Sequence, residues 1–134
     1  MKNLLLILTL ALLFFNLACK KNSGNPVNQN PTTSIAPIAP TLSTPANNSI
    51  GIGLPPTLIW YDSYGATSYS LQVFLDSNFT GSGYNKSGLT GTSLEIPSLT
   101  NKTKYYWHVR ASNSYGTSQY SSVWNFTTAG GSLP

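Results

Sequence analysis

The stretch LTNKTKYYWHVRA, Leu99 to Ala111, decides the fold. From Tyr105 its residues alternate strictly in character. Tyr105, Trp107, Val109 and Ala111 share one parity; Lys104, Tyr106, His108 and Arg110 share the other. Side chains of a strand alternate between its two faces, so the first set is expected to face a core and the second to face water.

The order Leu99, Thr103, Tyr105, Val109, Ala111, Asn113, Gly116 resembles the E–F corner and strand F of a fibronectin type III domain. Leu58 and Trp60 resemble that family's strand B, with a tryptophan in the core. Tyr69, Leu71 and Val73 resemble strand C, and Trp124, Phe126 and the Thr127-Thr128 ending resemble strand G. The resemblance spans residues 40–128 and implies an all-β, immunoglobulin-like sandwich of seven strands, with Tyr105 as its tyrosine corner. It implies a structural core containing Trp60, Tyr105, Trp107 and Trp124. Another immunoglobulin-like sandwich would alter the topology but little of the functional argument.

Outward from that domain, the N-terminus reads as a targeting segment. Lys2 gives a basic start, and Leu4 to Phe15 is apolar but for Thr9. A membrane span needs ~20 such residues; this shorter run fits the apolar region of a secretory signal. It ends in Leu17-Ala18-Cys19. Cys19 is the only cysteine, so it has no intrachain disulfide partner. The run resembles a bacterial lipobox, with Asn16 where a leucine is usual. The resemblance implies cleavage after Ala18, residues 1–18 being the signal, and acylation of Cys19. Several acyl chains, at ~0.8 kcal/mol per buried CH₂, make such an anchor stable. Lys20 after the cysteine is not the aspartate that holds some lipoproteins at the inner membrane, which leans the expected location to the outer membrane. An ordinary secretory signal with a free thiol is the alternative.

Residues 19–39 then form an Asn/Pro/Ser/Thr spacer with few large apolar side chains, and such a segment buries too little to order itself. If flexible, it reaches a root-mean-square ~25 Å; fully extended it reaches ~70 Å. Ile35-Ala36-Pro37 followed by Ile38-Ala39-Pro40 is a small repeat that reads as stiff spacer. The sandwich follows, with strands expected at 41–44, 56–61, 68–75, 83–87, 92–96, 104–111 and 121–128. Residues 46–53 read as a turn-rich connection and 129–134 as a tail. Turn signals between alternating runs argue for an all-β domain.

Charge and composition narrow the function. Beyond the spacer the domain carries Lys86, Lys102, Lys104 and Arg110 against Asp62, Asp76 and Glu95, a net charge of +1. No basic stripe is available for phosphates, so nucleic acid is not an expected partner. With one histidine and three acids in the domain, neither a catalytic arrangement nor a zinc or calcium site is expected, and no cofactor is implied. A glycosidase needs two carboxylates flanking a cleft, which a sandwich this small does not supply.

What remains is surface. In fibronectin type III topology the B–C and F–G loops share one end, and here they carry Tyr61, Tyr64, Tyr115 and Tyr120 among Ser, Gly, Asn and Thr. Tyrosine offers contact area at low entropy cost, so Tyr64, Tyr115 and Tyr120 are the candidate ligand contacts. Packing over the end of the core is the competing role, strongest for Tyr120. Phe74, Tyr106 and His108 form a second candidate patch on the outer face, which cross-strand pairing explains equally well. The expectation is a non-enzymatic lipoprotein that presents one domain to an envelope or extracellular protein or carbohydrate. A structural spacer or accessory subunit without a ligand is the alternative.

Overall fold

The computed structural model describes residues 35–131. The signal, Cys19, most of the spacer and the last three residues lie outside the described residues.

Alternation produces the strands where it was strongest. β3 (Thr57–Trp60) turns Leu58 and Trp60 inward, β4 (Ser68–Phe74) turns in Tyr69, Leu71 and Val73, and β7 (Lys104–Asn113) turns in Tyr105, Trp107, Val109 and Ala111. With β1 (Leu42–Thr44), β2 (Ser49–Ile52), β5 (Gly83–Leu89), β6 (Ser93–Glu95), β8 (Gly116–Thr117) and β9 (Trp124–Thr128) they make two sheets. The small sheet runs β1-β3-β6; the large one runs β2-β9-β7-β4-β5, with β8 on the end of β7. The seven sandwich strands are therefore β1, β3 and β6 against β9, β7, β4 and β5, and β2 and β8 are short additions.

The two inner faces meet in one core. Leu42, Leu58, Trp60 and Ile96 come from the small-sheet side; Tyr69, Leu71, Val73, Tyr105, Trp107, Val109, Ala111 and Phe126 come from the large sheet. Trp124 is half-buried at its margin, edge-on to Trp107 with ring centroids 6.3 Å apart. The Tyr105 hydroxyl accepts a hydrogen bond from the Thr100 N–H at 2.9 Å, so the ring fills core and the hydroxyl ties the turn before β7. Tyr105→Phe keeps the ring and leaves that N–H unpaired. It is expected to lower unfolding stability by about 1 kcal/mol, measurable by urea denaturation.

Three boundaries differ from the sequence reading, each for a local reason. Residues 46–53 were expected as connection, but Ser49–Ile52 is a strand, parallel to β9. It sits at the edge of the large sheet with Ile50 exposed, so no alternation marks it. Its entry is fixed instead by Asn47 and Asn48, whose side-chain oxygens accept from Asn125 Nδ2. The expected tail begins too early: Ala129 donates to Ile52 and accepts from Lys102, so it belongs to the fold. The expected spacer ends too late. Pro37 and Pro40 are buried and the Ile35 carbonyl is bonded to Asn113, so residues 35–39 lie on the domain.

The outer face of the large sheet carries the largest correction. His108 has the outward parity, but it does not face water: it is 7% exposed. Phe79, from the connection after β4, stacks on one side of its ring at 3.6 Å, and Tyr120 stacks on the other at 3.7 Å. Phe74, from the same expected patch, is buried too, edge-on to Phe79. Parity fixes which side of a sheet a residue takes; it does not say whether a loop covers that side.

Candidate functional site

The B–C loop, residues 61–67, joins β3 to β4 at one pole of the sandwich. Tyr69 anchors it from the core. Its hydroxyl donates to the Asp62 carboxylate and accepts from the Ser63 N–H at 3.0 Å. Burial, and then the bond to Asp62, push the Tyr69 hydroxyl above its ordinary pKa, so it stays a donor. The loop closes in a turn from Ser63 to Ala66, where Gly65 takes φ +75°, a conformation that disfavours a side chain. Tyr64 rides on the outside of that turn, 77% exposed.

The F–G hairpin turns at the same pole between β7 and β8. Asn113 builds it: its Oδ1 accepts from the N–H groups of Tyr115 at 2.8 Å and Gly116 at 3.1 Å. Such a side-chain-closed turn is what asparagine does well. The amide's other end reaches across the pole. Nδ2 donates to Gly65 O at 3.0 Å and to Ile35 O at 2.9 Å. One side chain thus joins the F–G hairpin, the B–C loop and the incoming N-terminal segment. Gly116 permits the close approach, since a Cβ there would lie 3.0 Å from that of Ala36. Tyr115, on the tip, stays exposed.

The N-terminal segment adds to this pole in a way that the sequence reading missed. Along Ile35-Ala36-Pro37-Ile38-Ala39-Pro40 burial repeats every three residues: both isoleucines exposed, both alanines intermediate, both prolines buried. A three-residue period is that of a polyproline-type extended helix, which brings every third side chain to one face. The repeat that read as spacer is therefore a docked segment with an apolar outer face. The visible signal was the repeat itself; the missing information was the surface on which its prolines pack.

Tyr64 and Tyr115 are brought to one pole. Tyr120 is not with them, because the segment after β8 is stitched back onto β7. Ser118 Oγ accepts from Ala111 N and Ser121 Oγ accepts from Val109 N. That places the Tyr120 ring over His108, with the Arg110 guanidinium 4.9 Å from its centroid. Trp60, Tyr105 and Trp107 are buried in the core and Trp124 flanks it; Cys19 lies outside the described residues.

Elsewhere, two clefts of about 420 and 360 Å³ open at the opposite pole around Pro97, Ser98 and Leu99. No carboxylate pair lines either one. Among the described residues, no three of His, Cys, Asp and Glu gather where they could hold a metal.

No protein-family model matches the chain, and no curated protein matches it. Solved structures do. A domain called FN3tt superposes with a TM-score of 0.52 at 21% identity, covering 72% of this chain and 98% of its own. A fibronectin type III domain of human fibronectin type III domain containing protein 3 is 28% identical, with a TM-score of 0.50, over 73% of this chain and 88% of its own. An α-L-rhamnosidase from Dictyoglumus thermophilum matches at 0.55 and 19% identity over 72% of this chain, but over only 13% of the enzyme. The chain has the fibronectin type III fold, an immunoglobulin-like β-sandwich.

Proposed function

We propose that this protein is a lipid-anchored envelope protein whose single sandwich makes non-catalytic contacts through the pole built on Asn113. The fold is that of a binding or structural domain. The observation that carries the reading is the Asn113 amide, which holds two tyrosine-tipped loops together and leaves both rings in solvent. Such rings contribute little to folding and are well placed as contact anchors. The apolar leader ending in Leu17-Ala18-Cys19 supports the anchor, and the fibronectin type III fold supports a non-catalytic role. A spacer without a ligand is the second reading.

The two differ in a measurable way. Tyr64→Ala and Tyr115→Ala are each expected to change folding stability by under ~1 kcal/mol and to weaken a true contact by ~1–2 kcal/mol. The double variant is expected to lose contacts, to lipid or to protein, captured by photo-cross-linking in intact cells, with its melting unchanged. An identical set of adducts would leave the spacer reading. Acylation is tested separately: labelled fatty acid is expected on the wild type and not on Cys19→Ser.

A further inference from the structure

We infer that the Asn113 pole rests on a lipid surface, with Ile35, Ile38, Tyr64 and Tyr115 entering the interfacial layer of the bilayer to which the chain is tethered. The inference deepens the proposed reading by naming what that pole touches, and it rests on the Cys19 anchor. Three observations carry it.

The first is where apolar surface is left uncovered. Of the ten large hydrophobic side chains exposed among the described residues, five sit at or beside this pole: Ile35, Ile38, Tyr61, Tyr64 and Tyr115. Scattered singly they would mean nothing, but concentrated at one end they mark a contact surface. The isoleucines are informative because the three-residue period leaves them outward while the prolines pack inward. A segment serving only as a spacer has no use for isoleucine on that face.

The second is chemistry. No lysine or arginine stands in the B–C loop, the Asn113–Gly116 turn or the 35–40 segment. Asp62, the one acid, is engaged by Tyr69. The two clefts lie at the other end of β7. A surface of aliphatic side chains and tyrosines, without a cation and with a single hydrogen-bonded carboxylate, suits an interface that is apolar on one side and wet on the other.

The third is where the chain outside the described residues attaches. It leads from Cys19 to Ile35, and Ile35 is pinned to the pole by Asn113. The tether therefore joins the domain at the proposed contact end. The chain between Cys19 and Ile35 can reach at most ~55 Å. Docking then requires no rotation of the domain.

The test uses the processed full chain with phosphatidylcholine vesicles containing brominated acyl chains, which quench indole fluorescence on contact. Tyr64→Trp and Tyr115→Trp place a reporter at the pole; Leu75→Trp, at the other end of the sandwich, is the control. Quenching of the two pole reporters is expected to be at least two-fold stronger than that of the control. It is expected to fall when Ile35→Ser and Ile38→Ser are added, both being exposed positions that folding should tolerate. Equal quenching at the two ends, or none at the pole at any lipid concentration, overturns the inference. So does an envelope protein that displaces lipid from the reporters in native membranes. The intact mass of the same sample reports acylation of Cys19. A chain without acyl groups is titrated with the same vesicles, so a missing anchor and a pole that ignores lipid give different results.

Discussion

Trp60→Ala is expected to cost about 3–5 kcal/mol, a large part of the 5–15 kcal/mol typical of a domain this size. Trp60 is the largest side chain that the small sheet sends into the core, and it is 2% exposed. Removing it leaves a cavity between two sheets whose backbones are fixed by their ladders, so little collapse can refill it. One feature works against the loss. The indole N–H has no hydrogen-bond partner among the described residues, so its removal relieves an unpaired donor, an effect of about 1–3 kcal/mol at most. Trp60→Phe separates the two effects, since it drops the N–H and keeps much of the ring, and should cost clearly less. The effect also reaches the candidate site. Trp60 meets Tyr69 edge-on with ring centroids 5.6 Å apart, and Tyr69 holds Asp62 and Ser63 in the B–C loop. Faster amide exchange at Ser63 is expected in the Ala variant before global unfolding. Denaturant melts checked by exchange at that position decide both points; an Ala variant as stable as the wild type would mean that the tryptophan's space is refilled.

The core was legible from the sequence because period-two alternation is a direct consequence of strand geometry. β3, β4 and β7 each carry enough inward positions to display it. β2 was not legible: it is a short edge strand with Ile50 outward, and its pairing is set by asparagines 78 and 77 residues away in sequence from their partner Asn125. The candidate pole was half-legible. Its tyrosines stand out among small polar residues, and Asn113-x-Tyr115-Gly116 is a recognisable asparagine turn. What no local pattern conveys is that the other end of the Asn113 amide ties down Gly65 and Ile35. Tyr120 illustrates the reverse case. Composition grouped it with the loop tyrosines while packing was its stronger expected role, and two serine hydroxyls bonded to β7 backbone turn its segment onto the sheet's outer face, where it packs on His108.

That outer face makes the domain's stability depend on pH. His108 donates its Nε2–H to Gln72 Oε1 at 2.7 Å, which leaves Nδ1 without a proton in the neutral ring. Burial under Phe79 and Tyr120, with Arg110 on the same strand adding like charge, lowers its pKa from 6.5 to about 4. The two aromatic faces would attract an imidazolium, but by only ~0.5–1 kcal/mol each, less than the loss of its hydration. The folded state therefore binds fewer protons than the unfolded chain. Stability is full above pH 6.5 and falls as the pH drops from 6.5 toward 4, where the native ring begins to accept the proton. At 1.36 kcal/mol per unit the loss across that window approaches about 3 kcal/mol. His108→Phe preserves the stack on both faces and cannot titrate. Its unfolding free energy is expected to stay flat between pH 6.5 and 4 while that of the wild type declines, and chemical denaturation at half-unit steps measures both. At pH 7 the variant gains nothing from this effect, because the wild-type ring is already neutral in the fold, and it loses the bond to Gln72. The curves of the two proteins are therefore expected to cross on the acid side. Parallel curves would place the pH dependence on another group and show the stacked ring to be as readily protonated as a free one.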